Sequence, residues 1–164
     1  MLLLISFSHS VQAQQSFYIH DDEMDIGIVP RISTDESEAS IVTTDGMVEL
    51  LLAGNDVVIQ FSEKKLDRIT DEIKNENSSA SDSHFEAVLK SMLSSGVRTL
   101  LDRGIAIPLY EISDISYENN RLIIRNMQGI EIFEDLEIEN KPVMEQFSRR
   151  EARRFITAVE RKMI

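Results

Sequence analysis

Few side chains in this sequence are equipped for chemistry, and their spacing excludes most reactions. The histidines are His9, His20 and His84. A hydrolytic triad needs a nucleophile, a base and a group that orients the base. None of the three histidines stands in a Gly-x-Ser-x-Gly or His-Glu-x-x-His setting, and no phosphate loop or dinucleotide fingerprint occurs. His20 beside Asp21, Asp22 and Glu23 is the most metal-like cluster. A hard cation such as calcium wants roughly six to eight oxygens on a shaped loop with a glycine turn, and that spacing is missing. There is no cysteine, which removes thiol catalysis, zinc–thiolate sites and disulfides. The expectation is a protein without catalytic residues, metal or cofactor. An uncharacterised hydrolase is the remaining enzymatic alternative, testable with Glu111 and His84 changed to alanine.

The sharper chemistry is charge segregation. Residues 148–164 hold Arg149, Arg150, Arg153, Arg154, Arg161 and Lys162 against Glu151 and Glu160, a net +4. The whole chain carries −12, so the remainder carries −16. The plain expectation is a solvated helix face that offsets the chain's own acids. The alternative is an anion-binding face, with Arg149, Arg150, Arg153 and Arg154 engaging lipid head groups or an acidic partner. The overall acidity argues against nucleic acid.

These arginines need a scaffold. A length of 164 residues with 42% apolar composition fits one domain with one core. The apolar run Met1 to Phe7 followed by Val11-Gln12-Ala13 resembles a secretory signal, without a basic residue before the run. On that reading residues 1–13 are a signal peptide, and the mature protein is periplasmic or secreted; otherwise it is cytoplasmic. Residues 14–40 read as an acidic flexible arm, with a short strand over Met24–Val29 ended by Pro30. Residues 41–164 read as a single α+β domain. No run of 18 apolar residues suggests a transmembrane helix.

Within that domain, Met47–Leu52 and Val57–Phe61 form a hairpin about Gly54-Asn55. Ser62 caps a helix running to Asn75, with Leu66, Ile69 and Ile73 on one face. The capping box Ser83-His84-Phe85-Glu86 opens a second helix, with Gly104 as its C′ residue. Alternating residues from Ile105 to Ile138 predict an antiparallel meander of strands at 105–110, 115–118, 121–125 and 130–134, turning at Asn119-Asn120 and Met127-Gln128-Gly129. Pro108 lacks an amide hydrogen, which predicts an edge strand or a bulge. Ser148-Arg149-Arg150-Glu151 is a capping box for a last helix, whose apolar face is Ala152, Phe155, Ile156, Val159 and Met163.

The order Ile107-Pro108-Leu109-Tyr110-Glu111-Ile112, then Arg121-Leu122-Ile123-Ile124, then Phe147 to Phe155, resembles the closing half of bacterial pleckstrin-homology-like domains. There a Pro-x-x-x-Ile strand leads into a hairpin carrying Arg-Leu-Ile-Ile, and an Ala/Phe-bearing helix caps the barrel. The resemblance spans 105–164 and implies a binding scaffold. Two helices stand where that family's barrel has strands.

The fold expected is therefore α+β: an antiparallel meander or partly open barrel, packed by two central helices and a C-terminal capping helix. The function expected is a small exported non-catalytic binding or structural module. It would act through the sheet edge near Pro108 and the last helix, on an unknown protein or an anionic surface. A sheet edge also offers a route to a homo-oligomer.

Overall fold

A computed structural model of the chain describes residues 17–21, 24–68 and 103–164. Its main layer is a six-stranded antiparallel sheet. The strands are β1 (Phe17–Asp21), β2 (Met24–Pro30), β3 (Ala39–Val42), β4 (Val48–Ala53), β5 (Asp56–Phe61) and β6 (Arg103–Pro108). Their order across the sheet is β1-β2-β6-β5-β4-β3. Along β4 and β5 successive side chains alternate between faces, as a pleated strand requires. Leu50, Leu52, Val57, Ile59 and Phe61 enter the main core, while Leu51 and Val58 join Ala106 in a small cluster on the other face. Both faces are covered, so these strands read as almost unbroken apolar runs.

Among the described residues, Ile32 packs on that second face, at the start of the segment from Arg31 to Glu38. This segment crosses from β2, near one edge, to β3 at the other, bearing a 3-10 turn at Thr34–Glu36 capped by Ser33. Gln60 pins this strap. Its side chain is fully buried, accepts from the Ile32 amide at 3.0 Å and donates to the Ile32 carbonyl at 2.8 Å. The amide side chain thus mimics a strand neighbour and satisfies both backbone groups.

A second, two-stranded sheet pairs β7 (Ile112–Glu118) with β8 (Arg121–Asn126). Asn119 and Asn120 turn the chain with φ of 50° and 61°, as a two-residue hairpin loop demands. A short hairpin follows, β9 (Glu137–Ile138) with β10 (Lys141–Pro142). Residues 63–68 form a helical segment, α1, and Ser62 Oγ accepts from the Lys65 amide at its start. The last helix, α2 (Arg149–Met163), is capped by Ser148, whose Oγ accepts from the Glu151 amide at 3.3 Å. Ala152, Phe155 and Val159 are buried where α2 closes the gap between β7 and the β3–β4 side of the main sheet. Burying Phe155 and Val159 contributes about 2 kcal/mol each. The architecture is thus α+β, with an antiparallel sheet and a capping C-terminal helix, and among the described residues the sheet stays open and closes no barrel.

Several details differ from expectation. Residues 17–21, expected within a flexible arm, are strand β1, while the short strand expected over Met24–Val29 is β2 and belongs to the main sheet. β6 pairs with β2 and β5, not with the hairpin that follows it. Pro108 is accordingly neither on an edge strand nor at a bulge; it is the last residue of an interior strand, where its missing amide falls at the start of a 3-10 turn. Gly104, expected as a helix C′ residue, lies inside β6. A Cβ there would sit 2.7 Å from Val58 Cγ1. Residues 130–134 make only a bridge, Arg125 to Glu131, because Gly129 and Phe133, with φ of 81° and 65°, turn the chain on either side. The helix expected from Ser83, and the helix from Ser62 beyond residue 68, lie outside the described residues.

Candidate functional site

Helical spacing decides where the four arginines go. With Ala152, Phe155 and Val159 buried, the opposite side of α2 carries Arg149, Arg150, Arg153, Arg154 and Arg161 within an arc of about 140° and a length of about 18 Å. All five are exposed. No ion pair joins any of them to a carboxylate among the described residues. Only Glu160 and Thr157 share the face, and Thr157 Oγ1 donates to the Arg153 carbonyl. Among the described residues, the one cation of the helix with a carboxylate partner is Lys162, on the flank. It donates to Glu38 at the end of the strap and to the Gly54 carbonyl. Among the described residues, direct ion pairing of this helix's cations with the chain's own acids is therefore confined to Lys162.

Basic residues in the last turn of α2 also meet the negative end of its dipole, which favours Arg161 and Lys162 there. Beyond that turn the surface becomes apolar. Met163, Tyr110 and Met127 line an open depression of about 460 Å³ with Leu109 and Ile112. Tyr110 and Met127 are 66% and 62% exposed. The surface expected at a sheet edge near Pro108 does not form, because Pro108 is buried at the end of an interior strand; the depression is lined instead by the residues after it.

A second concavity, of about 470 Å³, was not foreseen. It lies where the strap, β3 and the start of α1 meet, and is lined by Arg31, Ser40, Val42, Glu49, Lys64 and Glu151 among others. Glu49 Oε1 accepts from Gln60 Nε2 at 2.7 Å and lies 3.6 Å from Arg31. The sequence signal was Gln60 itself, one polar residue inside Val57-Val58-Ile59-Gln60-Phe61. Nothing local announces the strap that this side chain meets.

Two carboxyl groups are displaced from their usual range. The Lys65 ammonium bonded to Glu139 holds that carboxyl low, and burial pushes Asp56 up. Neither sits beside a nucleophile or base. His9 and His84 lie outside the described residues, and Glu111 ends the 3-10 turn after β6. Among the described residues no group of three metal-ligating side chains occurs. No helix among them is long and apolar enough to cross a membrane. No family model, curated protein or solved structure matches the chain.

Proposed function

We propose that this protein is a non-catalytic module that docks peripherally on an anionic lipid surface through the arginine face of α2. One observation carries the reading: Arg149, Arg150, Arg153, Arg154 and Arg161 share one exposed face, with no described carboxylate paired to them. A guanidinium row of this kind attracts phosphate head groups, and each basic residue near such a surface contributes about 1 kcal/mol. The exposed Met163, Met127 and Tyr110 at the end of the same helix supply apolar contact beside the charge, as interfacial helices do. The −16 of the remaining chain then orients the molecule, with its acidic bulk turned outward. No aromatic side chain lies within the arginine arc, which disfavours base stacking on a nucleic acid. The resemblance of residues 105–164 to pleckstrin-homology-like domains supports a binding role, and the pattern ending at Ala13 supports export.

Vesicle sedimentation tests the docking. Vesicles of mixed phosphatidylserine and phosphatidylcholine should pull the protein down at low salt, and binding should fall steeply as salt rises. Changing Arg149, Arg150, Arg153 and Arg154 together to glutamine should abolish it. Equal sedimentation by the variant, or none by the parent protein, removes the proposal. Export is tested by the N-terminal residue of the mature chain: a start near Gln14 supports it, and an intact Met1 refutes it.

A further inference from the structure

The outer concavity adjoins a sheet edge, and the two together form a site. Among the described residues, β3 is the last strand of the main sheet and pairs only with β4. The Thr43 amide donates to Val48 across that ladder at 2.8 Å. By the alternation of an antiparallel pair, Ile41 also faces β4, while Ser40 and Val42 point their amides and carbonyls away. The next group on that side, the Thr44 amide, is already taken by the Gln146 carbonyl at 2.7 Å. The edge therefore already accepts one backbone partner and stays open beside it. Ser40 and Val42 are exposed and line the groove.

At the groove's floor lies Glu49, 8% exposed. Its Oε1 is engaged by Gln60, with Arg31 at 3.6 Å, a single contact; Arg31 also donates to the Phe61 carbonyl. Among the described residues its Oε2 has no hydrogen-bond partner, and Glu49 lines the groove. The charged lining counts Glu49, Glu63 and Glu151 against Arg31 and Lys64, a net −1. A carboxylate offers up to about four acceptor positions, and here half of the group is spare.

We propose that the β3 edge and this groove take up an extended peptide segment of a partner protein. It pairs through its backbone with Ser40 and Val42 and delivers a lysine or arginine side chain to Glu49. Backbone pairing supplies affinity and the groove supplies selection, as in other strand-addition sites. Reach is sufficient: Glu49 is two strand spacings, about 10 Å, from an added strand, and the glutamate and a long basic side chain span that gap together across Val42. The site is separate from the arginine face and does not depend on lipid docking.

The probe is a fluorescent nine-residue peptide of alternating threonine and valine with a central lysine, compared with one carrying glutamate instead. Anisotropy should show the lysine peptide binding at least about tenfold tighter, the size of one charge-assisted contact. Glu49→Gln keeps the bond from Gln60 and should erase the discrimination. Ser40→Pro removes one outward amide and should weaken both peptides. Hydrogen exchange on the unaltered protein gives a second readout that needs no variant: adding the lysine peptide should slow Ser40 and Val42. The proposal is overturned if the lysine peptide does not bind, if discrimination survives in a folded Glu49→Gln protein, or if those two amides are unmoved. It is also overturned if Ser40 and Val42 become protected with rising protein concentration alone, which would assign the edge to a second copy of the chain.

Discussion

The Lys65 ammonium, only 5% exposed at its side chain, lies 2.7 Å from a carboxylate oxygen of Glu139, 74 positions further along the chain. Glu139 holds φ at 54° in the β9–β10 turn, a conformation costly to a residue with a side chain. The pair offsets that cost and ties α1 to the small hairpin. Glu139→Gln should lower stability by about 2 kcal/mol, less than for a fully buried pair because Glu139 is partly exposed. The Glu139 pKa is lowered in the folded state, first by the bond from Lys65. Its contribution is therefore complete above the ordinary carboxylate range and is lost as pH falls through the depressed value. Urea denaturation of parent and variant across pH 3 to 7 should show the gap closing toward acid.

Asp56 should behave with the opposite sign. Burial at the start of β5 raises its pKa, so the folded state holds its proton more tightly than the unfolded chain. Stability is then lost as pH rises through the raised value. Asp56→Asn should raise Tm at pH 7, with the gain disappearing below the unfolded carboxylate pKa. A gain that persists unchanged at low pH would assign it to something other than desolvation.

Gly104→Ala should cost about 1–3 kcal/mol, the usual penalty for overfilling a packed site. The added methyl would meet Val58 Cγ1 at 2.7 Å, with Gln60 Oε1 and Val29 Cγ2 at 3.4 Å. Adding Val58→Ala should recover part of that loss, giving a favourable coupling in a double-mutant cycle. Strict additivity would show that the strain lies elsewhere.

Single changes on the arginine face should act alike. Replacing Arg149, Arg150, Arg153 or Arg154 by glutamine should each reduce partitioning onto anionic vesicles about fivefold, in keeping with about 1 kcal/mol per basic residue. A single residue carrying nearly all the loss would point instead to one stereospecific head-group pocket. Thermal unfolding should be unchanged in all four, because exposed charged side chains without partners contribute little to stability.

What could be read in the sequence was local. Ser62 and Ser148 cap helices because their hydroxyls bond amides three residues on, and Asn119-Asn120 turns because asparagine tolerates positive φ. Apolar, β-branched runs about a turn mark β4 and β5 as strands, and period-two alternation marks β7 and β8, but neither signal carries information about neighbours. The partners of β6 therefore stayed hidden: whether Ile105 meets Ile28 or a residue ten positions ahead is a long-range matter. The alternation over Met24–Val29 marks β2, but nothing in residues 17–21 announces β1, because its pairing with β2 competes with the solvation that the acidic neighbourhood suggests. For the site, helical geometry alone placed the arginines on one face. The Glu49 groove was invisible because it exists only where a crossing strap, a strand edge and a helix start converge.

The position of β6 has a consequence for assembly. It is the last of the six strands in sequence and an inner one in space, lying between β2 and β5. Until residue 108 emerges from the ribosome, the layer is split into two halves, each with a raw hydrogen-bonding margin facing the other across a vacant lane. Those margins are sticky and of matching geometry, so a nascent or truncated chain presents ready-made seams for a neighbouring molecule's β6 to fill. Exchange of that one keystone strand between chains is the misassembly this topology invites.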